Sequence, residues 1–216
     1  EHLSQKWGIG IETSQWTLRS TTQEVIRTAT MHLARRYRSL QRMLKYHRLR
    51  TKMYSDTMFA PVRSLSGYTC GQVYVNHVNF IAFIPMESKS QAGQSLDDFF
   101  QYVGVPTHLH TDGAKELTLG HWKSVRDKHG GIKQTLSEPH SPWKSRAEAG
   151  IRDLKAHVQR IMHRTQAPKR LWDYCAVYVA DIRSRMAHPL RQLNKRTPWE
   201  HMTGDTPDIQ ASLVTL

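Results

Sequence analysis

Hydrophobic and polar positions divide the chain into segments of two periods. Near the start, Leu3, Trp7, Ile9, Ile11, Trp16 and Leu18 are interrupted by Gly8 and Gly10, which predicts a short helix, a glycine-containing turn and a second helix opening near Thr13. Beyond Lys52 the apolar positions take strand spacing. Met53 to Phe59, Tyr68 to Val75 and Asn79 to Ile84 are rich in β-branched and aromatic residues, with Pro61 closing the first and the turn-like Asn76 to Asn79 separating the other two. Three strands in an antiparallel meander are expected. Ser90 to Val103 returns to the helical period, with Ala92, Leu96, Phe99 and Phe100 on one side. Pro106 leads into a strand from Thr107 to Asp112, a helix from Lys115 to His129 follows, and Gly130-Gly131 precedes a short strand from Ile132 to Leu136. Ile151, Leu154, Val158 and Ile161 then form the buried stripe of a long helix that Glu148 opens.

Three strands, helix, strand, helix, strand, helix is the element order of the ribonuclease-H-like fold, an α/β architecture with a mixed five-stranded sheet flanked by helices. In that order, acids at the centre of the first strand, the end of the fourth and the start of a late helix meet at one sheet edge. Asp56, Asp112 in His110-Thr111-Asp112-Gly113-Ala114-Lys115-Glu116, and Glu148 in Ser141-Pro142-Trp143-Lys144-Ser145-Arg146-Ala147-Glu148 fall on those positions, with thirty-five residues between the last two. Carboxylates are hard oxygen ligands for Mg2+, and two such ions about 4 Å apart serve an in-line displacement at phosphorus without a covalent protein nucleophile. Each acid also has a plainer explanation. Asp56 fits a strand-end cap, Asp112 a turn former before Gly113, and Glu148 a first-turn acid favoured by the helix dipole.

Charge adds a partner. The 216 residues, enough for one substantial core and a small appendage, carry 31 Lys and Arg against 18 Asp and Glu, a net +13 with a pI near 10.0. A field of that sign fits a polyanion such as nucleic acid, and equally a basic protein of ribosomal type. Between Val25 and Ser55 there is no acid, but Arg27, Arg35, Arg36, Arg38, Arg42, Lys45, Arg48, Arg50 and Lys52. Tyr37, Leu40, Leu44 and Leu49 interleave with them at roughly helical intervals, so one face would pack while the other tracks a phosphate backbone or is simply solvated. The opening helices read either as a helix-turn-helix unit or as two helices packed on a neighbour. Cys70 and Cys175 stand far apart without a Cys-x-x-Cys spacing, against a disulfide scaffold or a complete zinc finger. No apolar run approaches the length of a membrane span, and the first residues have no signal-peptide pattern. Without an initiator Met, the chain has the start expected of a fragment or processed product.

At the level of motifs the chain resembles the integrase of Copia-type retrotransposons over nearly its whole length. Thr111-Asp112-Gly113-Ala114-Lys115-Glu116 is similar to the family's Thr-Asp-Asn-Gly-Gly-Glu segment, and Arg146-Ala147-Glu148 to the end of its Asn-Gly-Val-Ala-Glu segment. Pro168-Lys169-Arg170-Leu171-Trp172 resembles the start of the helix that follows. Asn194-Lys195-Arg196-Thr197-Pro198-Trp199-Glu200, with Thr203-Gly204 and Pro207-Asp208, is similar to the signature Asn-Lys-Thr-Pro-Tyr-Glu and Thr-Gly-Lys-Pro-Asp, the longest of these matches. Lys144-Ser145 stands where the family has Gln-Asn, Gly113 where it has Asn, and no His2Cys2 module precedes the core.

The resemblance implies an integrase catalytic core that trims element ends and joins their 3′ hydroxyls to target DNA with Mg2+ or Mn2+, a DDE enzyme with Asp56, Asp112 and Glu148 as metal ligands. Arg152 and Lys155, at i+4 and i+7 from Glu148, share its helix face and are assigned to element DNA. Arg35, Arg36, Arg38, Arg42, Lys45 and Arg48 are assigned to DNA contact as well. The expected layout is a basic helical region at 1–50, a catalytic core with C-terminal helices at 51–209 and a tail at 210–216. Partners would be double-stranded DNA and further copies of the chain, in the nucleus or cytoplasm, with no membrane and no zinc. The alternative is a decayed or repurposed integrase fragment that only binds DNA.

Overall fold

The computed structural model describes residues 2–23, 46–137 and 146–210. Arg35, Arg36, Arg38, Arg42 and Lys45 lie outside the described residues. Two short helices, α1 (His2–Trp7) and α2 (Ile11–Ser20), open the chain. A mixed sheet follows, from β1 (Arg48–Phe59), β2 (Cys70–Val75), β3 (Ile81–Met86), β4 (Val105–Thr111) and β5 (Lys133–Leu136). Between these strands run α3 (Ala92–Tyr102) and α4 (Gly120–His129), and after them α5 (Arg146–Thr165), α6 (Trp172–Arg185) and α7 (Pro198–Thr203). The sheet order is β3-β2-β1-β4-β5, with β1–β2 and β2–β3 antiparallel and β1–β4 and β4–β5 parallel.

This is the ribonuclease-H-like mixed sheet that the element order predicts, built as three layers. One face carries Leu49, Met53, Tyr74, Leu96, Phe99, Phe100, Leu109 and Trp122, which joins β1, β2 and β4 to α3 and α4. Tyr74 stacks on Phe99 with ring centroids 4.3 Å apart. The other face carries Met58, Val73, Val75, Ile81 and Phe83 against Ala147, Leu154 and Val158 of α5 and Trp172, Ala176 and Val179 of α6. The α5 stripe expected from Leu154 and Val158 is therefore buried, with Ile151 and Ile161 packed at its margin.

One boundary differs from the sequence reading for a physical reason. β1 starts at Arg48 rather than Met53, so Leu49, read above at helical spacing, is a buried strand residue. The register with β4 shifts between Leu49 and Lys52, a bulge that breaks the alternation by which a strand is recognised. Both prolines inside strands sit where no ladder donor is needed. Pro85 is on the edge strand β3, and Pro106 precedes His108, where β5 begins to pair with β4.

The opening helices pack on a neighbour. Leu3 and Trp7 are buried with Ile182 of α6 and Ile209, and Arg164 of α5 donates to the carbonyls of Gln5 and Lys6 at 2.9 and 2.7 Å. Farther along, Thr197 caps α7 by accepting from the Glu200 N–H at 3.1 Å, Pro198 occupies the first turn, and Gly204 ends the helix in the left-handed region at φ 81°. Among the described residues no helix is long and apolar enough to cross a membrane.

Candidate active site

The three predicted acids arrive from separate elements. Asp56 lies in the middle of β1, opposite Val73 of β2. Its side chain points to the α5–α6 face, because Ser55 and Thr57 on either side point the other way and bond Gln72. Gln72 is fully buried, donates to Ser55 Oγ at 2.7 Å and accepts from Thr57 Oγ1 at 2.9 Å. That polar clasp under Asp56 fixes the β1–β2 register, and pattern reading gave no sign of it.

Asp112 follows the last residue of β4. The final paired positions are Ser55 and Thr111 in parallel register, so the next step along both strands sets Asp112 beside Asp56. Asp112 Oδ1 accepts from the Ala114 N–H at 3.2 Å, an Asx turn that orients the exposed carboxylate.

Glu148 sits in the first turn of α5, exposed at the groove. Two contacts fix that turn. Arg146 donates through Nε to the Asn76 carbonyl at 2.6 Å, and through a terminal nitrogen to the His77 carbonyl at 2.8 Å and Asn79 Oδ1 at 3.2 Å, which ties α5 to the β2–β3 turn. Gly150 then lets the helix lie on the sheet, since a Cβ there would stand 2.6 Å from Val75 Cγ1. Sequence reasoning found neither support; the spacing of Gly150 from Glu148 was the one available signal.

Burial pushes the Asp56 carboxyl above its ordinary range, the charges of Asp112 and Glu148 push it further, and the Thr57 N–H, which donates to Oδ1 at 2.7 Å, and Lys89 pull it back. An open groove of about 510 Å³ is lined by Asp56, Thr57, Glu148, Ile151, Arg152, Lys155, Ala156 and Gln159. Arg152 and Lys155 are exposed on its wall, on the face shared with Glu148. Arg48 stands elsewhere: its guanidinium donates to the carbonyls of His129 and Gly130 at 2.7 and 3.4 Å, at the end of α4.

As a donor set the three carboxylates fit a hard divalent cation, which would relieve the repulsion that raises the Asp56 carboxyl. Among the described residues no three His, Cys, Asp or Glu side chains stand closely enough grouped to hold a metal ion. The site therefore brings together the charges without presenting a finished cage.

Comparison with known proteins bears on the fold. No family model matches the chain, and no curated protein matches it. Among solved structures, a chain of the simian T-cell lymphotropic virus intasome in complex with the PP2A regulatory subunit B56 gamma is similar, with a TM-score of 0.57 and 16% identity over 78% of this chain and 62% of that one. The catalytic core domain of BIV integrase is similar with a TM-score of 0.54 and 17% identity, over 70% of this chain and 93% of that one. The chain thus spans less than two thirds of the first of these. The fold is the α/β, ribonuclease-H-like one of retroviral integrase catalytic cores.

Proposed function

We propose that this chain is the catalytic core of an integrase of the Copia retrotransposon type, which processes 3′ ends of element DNA and transfers them into target DNA. What supports the reading is an integrase-like fold in which Asp56 lies in mid-β1, Asp112 follows β4 in register beside it, and Glu148 sits in the first turn of α5 on the groove that Asp56 also lines. Those three carboxylates would hold Mg2+ or Mn2+. The chemistry such ions supply when bound is activation of the attacking hydroxyl and stabilisation of the leaving oxygen.

The chain's own side chains account for the rest. Arg152 and Lys155 on the groove wall would neutralise phosphates flanking the scissile bond, and Arg146 and Gly150 would anchor the turn that carries Glu148. The net +13 charge supports a DNA partner. Joining two element ends calls for at least two protomers.

A second reading has its own observation. The lack of a ready-made three-ligand cluster among the described residues favours a decayed or repurposed copy that only binds DNA. A strand-transfer assay with labelled duplex in Mg2+ or Mn2+ decides: product that disappears in Asp112→Asn and Glu148→Gln supports the enzyme, and binding without product under either metal supports the second reading.

A further inference from the structure

The loop that carries Asp112 is exposed in its middle and pinned at its ends. Asp112, Gly113, Lys115 and Glu116 are exposed, whereas Thr111 before them and Leu117 after them are buried. One side chain bonds both ends. Gln134, in β5, donates through Nε2 to Thr111 Oγ1 at 2.9 Å and to the Leu117 carbonyl at 2.7 Å. Its Oε1 accepts from Arg126 Nη1 of α4 at 2.6 Å.

The chemistry of these partners fixes the amide of Gln134. A guanidinium only donates, so the amide oxygen must face Arg126; a carbonyl only accepts, so the amide nitrogen must face Leu117. Arg126 is itself held, donating through Nε and Nη2 to Asp127 Oδ1 at 3.0 and 2.8 Å. Gln134 is aligned with Leu109, which is buried against α3 and α4, and Thr111 lies two residues further along β4 on the same face. Thr111 immediately precedes Asp112, so holding its side chain fixes the backbone from which the acid departs. The Ser137 N–H also donates to the Thr111 carbonyl at 2.8 Å, and the Leu117 N–H to the Ala114 carbonyl at 3.0 Å. Neither contact joins the two ends of the loop, as Gln134 does.

We infer that Gln134 is a positioning residue for Asp112: by joining Thr111 to Leu117 it closes the loop at its base and fixes where the carboxylate stands beside Asp56. Gln72 clasps Ser55 and Thr57 on either side of Asp56, so each aspartate has beneath it a glutamine of the neighbouring strand. The inference rests on the integrase reading for what Asp112 does and goes beyond it in naming a side chain that acts on the acid through its loop.

Gln134→Glu separates positioning from folding. The carboxylate keeps an acceptor for Arg126 and accepts from the Thr111 hydroxyl, but it cannot donate to the Leu117 carbonyl. Thr111→Val and Thr111→Ser remove and retain the hydroxyl that Gln134 bonds. Ser184→Ala controls for stability alone: at the opposite edge of the sheet it loses the bond from the Ile81 N–H at 3.0 Å and the bond to the Ile81 carbonyl at 2.6 Å. Amide hydrogen exchange, read by mass spectrometry on the whole chain in EDTA, should be about fivefold faster over residues 112–118 in Gln134→Glu and Thr111→Val, the effect of one lost hydrogen bond on a local opening. Thr111→Ser and Ser184→Ala should exchange there at the wild-type rate. Mn2+ affinity, read from the EPR signal of the free ion, should fall in the first two variants alone, and in joining assays the same two should lose kcat with KM for DNA unchanged. Wild-type exchange of the loop in Gln134→Glu, or a rise as large in Ser184→Ala, would overturn the inference. A wild type that neither takes up Mn2+ nor joins DNA defeats the integrase reading, and the exchange comparison, made without metal or DNA, still decides the role of Gln134.

Discussion

Gly150→Ala separates a role in positioning Glu148 from a role in folding. The added Cβ would stand 2.6 Å from Val75 Cγ1, with the next Val75 atoms at 3.5 Å. Ordinary carbon contacts lie near 3.5–4 Å, so α5 must retreat by about 1 Å. Overpacking of this kind costs about 1–3 kcal/mol, while alanine gains about 1 kcal/mol over glycine inside a helix. The net loss of stability should therefore be about 0–2 kcal/mol, read by urea unfolding. Glu148 moves with its turn, and a misplacement of about 1 Å at a reacting centre costs on the order of 100-fold in rate. The expected signature is a large loss of strand joining with a small loss of stability. Val75→Ala removes the clashing methyl groups at a cost of about 2 kcal/mol on its own. Combined with Gly150→Ala it should recover joining and show a favourable coupling of about 1 kcal/mol in a double-mutant cycle. Wild-type joining by Gly150→Ala, or strictly additive stabilities with no recovery in the pair, would refute the argument.

Arg146→Ala loses three hydrogen bonds to the β2–β3 turn and should lower stability by about 2 kcal/mol and reduce joining; Arg146→Lys should recover only part of both, because an ammonium cannot reproduce the fork. Arg152→Ala/Lys155→Ala, on exposed positions, should leave the melting temperature unchanged and make the salt slope of duplex binding shallower by about 1.8. The raised Asp56 carboxyl means that the folded chain holds this proton more tightly than the unfolded one, so its contribution to stability falls as pH rises from the ordinary carboxylate range through the folded-state value. Asp56→Asn should abolish that fall in a pH series of thermal melts. Mg2+ or Mn2+ should raise the melting temperature of the wild type more than that of Asp56→Asn; equal shifts would count against Asp56 as a ligand.

Much of the fold was legible because its apolar faces are regular. The α5 stripe and the Ala92, Leu96, Phe99 and Phe100 face of α3 stand where their periods put them. The start of β1 was not legible, because its register shift and the basic residues of its solvent face conceal the alternation. The carboxylate positions followed from element order. Their supports did not, since Arg146 and Gln72 act through carbonyls and side chains distant in sequence that only the folded sheet assembles. The C-terminal signature carries less family information than its length suggests: Thr197, Pro198 and Gly204 are the start and stop signals of α7, which any helix of that length would favour.

The departures from the Copia motif bear on whether the site is intact. Lys144-Ser145 lies outside the described residues. At Gly113 an added Cβ would meet no described residue within 4 Å. The carboxylate there takes its orientation from the Ala114 N–H, a backbone donor that substitution does not remove. Glu148 is held by Arg146 and by the close seat of Gly150 on Val75, again without help from position 113. Supports borne by backbone and by one arginine hold Asp112 and the turn of Glu148 in this chain. Gly113→Asn then discriminates: if the site stands on these supports, restoring the motif residue should change joining by less than about threefold, well under 1 kcal/mol, whereas a gain from undetectable to measurable product would show that the wild-type chain had lost its activity at that position.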